Sequence, residues 1–179
     1  MAKLENTILY ILQHQPNKEM AILRLAKYLY LSDYLFAKSF GGKETFTGSY
    51  SRYEYGPVPT EFYPAIRTLI SLGSIDRNGN IISLLKTDEN YSLTKEEKAC
   101  LDKIINDFAN NSLSKVMKSA YATEPRVKIL EQENSIGGEK LLGEEINFTD
   151  IKVHSLLAEN DLDLSFMDSK AYKESIKDE

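Results

Sequence analysis

Residues 47–59, Thr-Gly-Ser-Tyr-Ser-Arg-Tyr-Glu-Tyr-Gly-Pro-Val-Pro, constrain this chain more than any other stretch. Three tyrosines, two glycines and two prolines stand there between two helical patterns. Gly56-Pro57 and Pro59 fix the backbone, and glycine admits dihedrals that other residues avoid. Tyr50, Tyr53 and Tyr55 add large amphipathic rings, suited to filling a core or anchoring a partner. The alternation of Tyr53 and Tyr55 predicts a short strand within an extended or turn segment from Thr45 to Tyr55. A mainly helical fold must accommodate this rigid brace.

The flanking patterns are helical. Leu4, Ile8, Ile11 and Leu12 predict a helix over residues 4–13, broken by Pro16-Asn17. A second helix, about 18–38, is apolar nearly all round from Met20 to Ala37, interrupted only by Arg24, Lys27, Ser32 and Asp33. Such a helix belongs in the middle of a domain, and Gly41-Gly42 ends it. A third helix starts between Thr60 and Pro64, with Phe62, Ile66, Leu69 and Ile70 as its apolar face and Gly73 past its end. Asn78-Gly79 predicts a type I′ hairpin between Ser74–Arg77 and Asn80–Leu84, to which Tyr91–Leu93 adds a strand. Thr94-Lys95-Glu96-Glu97 is a capping box opening a helix to about Ala109. Ser112 caps a further helix to Tyr121, stopped before Pro125, and a short helix covers Val127–Gln132. Ile151–Leu157, capped by Thr149, reads as a last helix; Glu159 to Glu179 is acidic and poorly periodic, either a tail or a segment ordered by a partner. The expected class is mainly α (α+β): a compact helical domain, residues 1–158, around a central apolar helix, with a small hairpin in a winged-helix-like element and an acidic tail, residues 159–179.

Bulk properties narrow the function. A chain of 179 residues with 42% hydrophobic content fits one domain with a real core. The longest N-terminal apolar run, Ile8–Leu12, is far short of a signal or membrane segment, so the expected location is the cytoplasm. A single cysteine, Cys100, precludes an internal disulfide, and with two histidines it leaves a structural zinc site short of ligands. Cys100 lies mid-helix without a local base and reads as core. His14 and His154 read as surface or capping residues, and Glu96, Glu97, Asp102 and Asp107 as a solvated helix face. Gly-x-Gly-x-x-Gly, P-loop and Gly-x-Ser-x-Gly motifs are all missing, so no enzyme, metal or cofactor is expected. A net charge of −5 argues against a large nucleic-acid surface. The segment Thr60–Leu72 would be the recognition helix of a winged-helix DNA-binding regulator, but it offers only Arg67 against Glu61.

Asp33 sits among Leu29, Tyr30, Phe36 and Ala37 at helical spacing. A carboxylate there either accepts hydrogen bonds from the Thr47–Tyr50 turn or occupies a narrow solvent-facing strip. Seven of the eleven tyrosines fall between Tyr28 and Tyr63. Tyr28, Tyr30 and Tyr34 read as core. Arg52, Tyr53 and Tyr55 read either as a docking patch or as rings completing the core, since tyrosine and arginine favour binding hot spots.

Leu29-Tyr30-Leu31-Ser32-Asp33, Thr47-Gly48 before an aromatic, and Tyr55-Gly56-Pro57-Val58-Pro59 leading into a helix resemble the Panacea domain, the antitoxin domain of SocA-like proteins in bacterial and phage toxin–antitoxin systems. Leu93-Thr94-Lys95-Glu96-Glu97 and Thr123-Glu124-Pro125 are also similar, and the resemblance covers roughly residues 20–130. The sequence departs at Ser49, where relatives often carry Asp, in a run to Tyr55 about one residue shorter, and in lacking a His and a Trp near the Glu-Pro segment. The resemblance implies a non-catalytic protein that neutralises a co-encoded toxin by direct binding, in one branch as an adaptor handing the toxin to a protease. Arg52, Tyr53 and Tyr55 are then the expected partner contacts. Asp33, Thr47, Gly48, Gly56 and Pro57 are expected to shape the loop behind them.

Overall fold

The computed structural model describes residues 1–39, 45–87 and 89–148. Gly41-Gly42, Thr149, the Ile151–Leu157 helix, His154 and the acidic tail lie outside the described residues.

Leu4, Ile8, Ile11 and Leu12 form the buried side of helix α1, Lys3–Gln13. Pro16 opens a short 3₁₀ turn in which Asn17 and Lys18 take positive φ. That reversal delays the next helix. Glu19–Ala21, expected inside it, is strand β1 instead, and α2 runs Ile22–Ser39. Helix α2 packs against α1, β1 and three elements further along the chain. Tyr28, Tyr30 and Tyr34 are buried on it, as are Lys27 and Asp33.

The brace folds as a hairpin, β2 (Tyr50–Tyr53) and β3 (Gly56–Pro59), turning at Glu54-Tyr55. The sequence anticipated an extended Tyr53–Tyr55 but not a strand of Gly-Pro-Val-Pro. Its prolines are tolerable because β3 is an edge strand of the sheet β3-β2-β6, where β6 is Glu145–Ile146. Pro57 stands opposite Arg52 and Pro59 opposite Tyr50. Arg52 turns its backbone toward the other neighbour, donating to Glu144 O at 2.8 Å and accepting from Gly143 N at 2.7 Å.

Helix α3, Phe62–Ser71, carries Pro64 in its first turn. Its buried residues are Phe62, Ala65, Ile66 and Leu69; Ile70, expected on that face, points outward. Strands β4 (Ile75–Asn78) and β5 (Ile81–Leu84) form a hairpin in a second antiparallel sheet of order β1-β5-β4. Asn78 pairs with Ile81, so the two turn residues are Gly79-Asn80 rather than Asn78-Gly79. Only Gly79 has positive φ, +60°, which is the type II′ pattern and not the expected I′. Tyr91–Leu93 does not extend this sheet, whose third strand is β1. Tyr91 is buried edge-on against Tyr10.

Helix α4, Lys95–Phe108, opens with the capping box read from the sequence: Glu97 N donates to Thr94 Oγ1 at 3.2 Å and Thr94 N to Glu97 Oε2 at 2.8 Å. Glu97 is nonetheless buried and paired with Lys3 at 2.8 Å, not part of a solvated face. Ser112 caps α5, Leu113–Tyr121. Helix α6 spans Glu124–Ser135, twice the expected length, because Pro125 falls in its first turn, where its missing N–H costs nothing. Helices α4 and α5 and the β3 edge enclose α2's remaining sides. No described helix is long and apolar enough to cross a membrane.

Candidate functional site

Asp33 is fully buried on α2, and its carboxylate collects three donors from the segment leading into β2. Phe46 N donates to Oδ1 at 2.6 Å, Tyr50 OH to Oδ2 at 2.7 Å, and Thr47 Oγ1 also to Oδ2. Burial raises the Asp33 carboxyl pKa to about 7, against the pull of these hydrogen bonds toward the charged form. Tyr50 lies beneath, edge-on to Tyr30 with ring centroids 5.3 Å apart, and Phe148 closes the group at 5.5 Å from both rings. Gly48 precedes β2 with φ +113°, its carbonyl accepting from Thr45 Oγ1.

Gly56 is needed on two counts. Its φ is +90°, and a Cβ there would lie 3.1 Å from the Tyr121 ring. Pro57 presents its carbonyl to Lys27 Nζ at 2.6 Å.

Of the three expected contact residues, Arg52 must be corrected. It is 3% exposed. Its Nε donates to Glu133 Oε1 at 2.8 Å, and its Nη1 reaches the carbonyls of Tyr53 and Glu54. The guanidinium turns inward because Glu133 on α6 waits there with a carboxylate that also takes Leu141 N at 3.1 Å. Burial opposes the charge on Glu133, but these hydrogen bonds hold its carboxyl below the ordinary range. Tyr55 is half-buried against the small cluster of Leu113, Met117 and Tyr121. Tyr53 is the one that faces out, with its ring 6.0 Å from that of Tyr63 on α3.

Tyr63 and Ile70 were not singled out from the sequence as contacts. They lie seven residues apart, with Arg67 between, on the outward stripe of α3. Tyr53, Tyr63 and Ile70 are 36%, 37% and 39% exposed. The signal was available: removing Phe62, Ala65, Ile66 and Leu69 as one face leaves 63, 67 and 70 on the other.

Among the described residues no nucleophile is placed against a base. Cys100 is buried with its thiol pKa raised by that burial. His14 stacks on Tyr10 and bonds the Tyr10 carbonyl. A groove of about 400 Å³ between α6 and β6 is lined by Pro125, Lys128, Ile129, Gln132 and Glu144, without a nucleophile–base pair. Among the described residues no group of three or more His, Cys, Asp or Glu is placed to hold a metal.

The Asp33 anchor, the Gly-Pro-Val-Pro edge and the capped α4 lie in one continuous stretch, and a family model spans it: Antitoxin SocA-like, Panacea domain, residues 25–125, more than half the chain. The chain belongs to this family. No curated protein and no solved structure matches it. The Panacea match begins at Leu25 and ends at Pro125, so it takes in α2, the hairpin, α3, α4 and α5. Arg126 and Glu133 lie beyond it.

Proposed function

We propose that this chain is an antitoxin that neutralises a co-encoded protein toxin by direct binding, without catalysis of its own. The observation that carries the reading is the Panacea match over residues 25–125. The contact surface in this reading is the outward stripe of α3 with Tyr53, replacing the buried Arg52. Paired tyrosines beside an exposed Ile70 form the aromatic, low-entropy patch that protein partners use as an anchor. A chain of net charge −5 suits a basic toxin.

Co-expression with the neighbouring gene tests this. The neighbour should arrest growth alone, and this chain should restore it and co-purify with it. Tyr63→Asp combined with Ile70→Asp should abolish rescue while leaving the melting temperature within a degree or two, because both side chains are exposed. A harmless neighbour that does not co-purify sinks the reading. The adaptor form of the same reading predicts that toxin half-life in cells shortens when this chain is present.

A second reading, a winged-helix transcriptional regulator, is favoured by one observation. The order α1-β1-α2, then α3-β4-β5 with sheet order β1-β5-β4, supports it, since a winged helix with the β2–β3 hairpin inserted before its third helix would have that order. Its recognition helix would then carry Arg67 as its single basic residue beside Glu61, poor chemistry for phosphates. A mobility shift on the chain's own promoter at moderate salt separates the two readings.

A further inference from the structure

Three cationic side chains converge under the β2–β3 hairpin, and among the described residues the carboxylate paired with them is that of Glu133. Lys27 of α2, Arg52 of β2 and Arg126 of α6 are 0%, 3% and 2% exposed. Arg52 has Glu133, and Lys27 has the Pro57 carbonyl. Arg126 lies over the Tyr121 ring, its guanidinium carbon 4.5 Å from the centroid, but its Nε and Nη1 hydrogens meet no acceptor.

The three cations feel one another. Burial, then Arg126, then Arg52 press Lys27 toward its neutral amine. A lysine can relieve a buried positive charge by losing its proton; a guanidinium cannot. The charge on Arg126 is therefore permanent, and the ring face beneath it offsets part of the cost of burying it. Two buried donors without an acceptor are costly, and a buried network left half satisfied is worse than an apolar one.

We propose that Arg126, with Lys27 and Arg52 beside it, is the receptor for one compact oxyanion of the phosphate or sulfate class, held beneath the β2–β3 hairpin. The burial of all three residues, at most 3% exposed, favours a small free ion over a macromolecule. An anion there would accept from Arg126 Nε and Nη1 and restore charge to Lys27. It would also tie α6, most of which lies past the Panacea match, to α2 and the hairpin. The inference stands independently of toxin binding.

The test is thermal unfolding of the full chain exchanged into chloride, with inorganic phosphate and then sulfate titrated in at constant ionic strength. Anion binding to the folded state should raise Tm by several degrees along a saturating curve. Arg126→Met keeps the side-chain stem and should lose the whole shift, while Lys128→Met, on the groove side of the same helix, should keep it. Calorimetric titration of the unaltered chain provides a measurement that needs no variant, and it should give a saturable heat. No saturable heat, or a Tm rise that Lys128→Met and Arg126→Met share equally, would mean an adventitious ion only and overturn the proposal.

Discussion

Asp33 is stabilised by three donors and penalised by its burial, and the penalty is the larger of the two. The consequence for pH follows from its raised pKa. An unfolded chain gives up this proton near pH 4, whereas the folded chain keeps it to about pH 7. Between those values the folded state holds more protons, so the Asp33 contribution to stability falls as pH rises from about 4 to about 7 and is flat above. Asp33→Asn should remove that slope, as read from denaturation midpoints across the window. Asp33→Ala should cost about 3 kcal/mol near pH 4, because it strands the Phe46 amide and the Thr47 and Tyr50 hydroxyls, and progressively less as pH rises toward 7.

At the scale of elements, local chemistry was legible where it is self-contained. The α4 capping box needs only Thr94 and Glu97, and both bonds are present. Thr94→Ala should cost about 1 kcal/mol in chemical denaturation. Helix α1, the Ser112 cap and the turn-bearing hairpin at Gly79 were likewise readable, the last displaced by one residue because register is set by the Asn78–Ile81 pairing and not by the Asn-Gly dipeptide. Strands β1 and β6 were not readable. They have three and two residues, and their strand character comes from partners at Ile81–Ser83 and Tyr50–Ser51 far away in the chain. The same distance hid the fate of Arg52. Nothing near it in sequence marks Glu133, 81 positions on, as its partner, so an arginine among tyrosines looked like a surface anchor. Asp33 and its donors stand within 17 positions, close enough for the sequence to suggest the pairing.

Across the whole molecule, Glu133 joins pieces that the chain order keeps apart. It holds Arg52 of the hairpin and the amide of Leu141, just before β6. Glu133→Gln should therefore do more than weaken one ion pair. It would leave Arg52 buried without its counter-charge at a cost of about 3–5 kcal/mol. It should also loosen the 141–146 segment selectively, seen as faster amide exchange at Arg52, Gly143 and Glu144 than at the α4 core. If exchange rises uniformly instead, Glu133 is an ordinary stabilising residue and not a tie.

The proline edge of β3 has a consequence for how any partner can approach. Pro57 and Pro59 turn away from β2 and carry no N–H, so the outward rim of that strand offers carbonyls alone, and Lys27 already occupies one. A strand laid alongside would find acceptors with no donors between them, and a ladder needs both. Backbone zippering is closed off on this side, whether by a toxin or by a second copy of the chain. All four β3 residues are buried against the rest of the fold, so recognition near the hairpin must be read through the side chains of its turn and not through this rim.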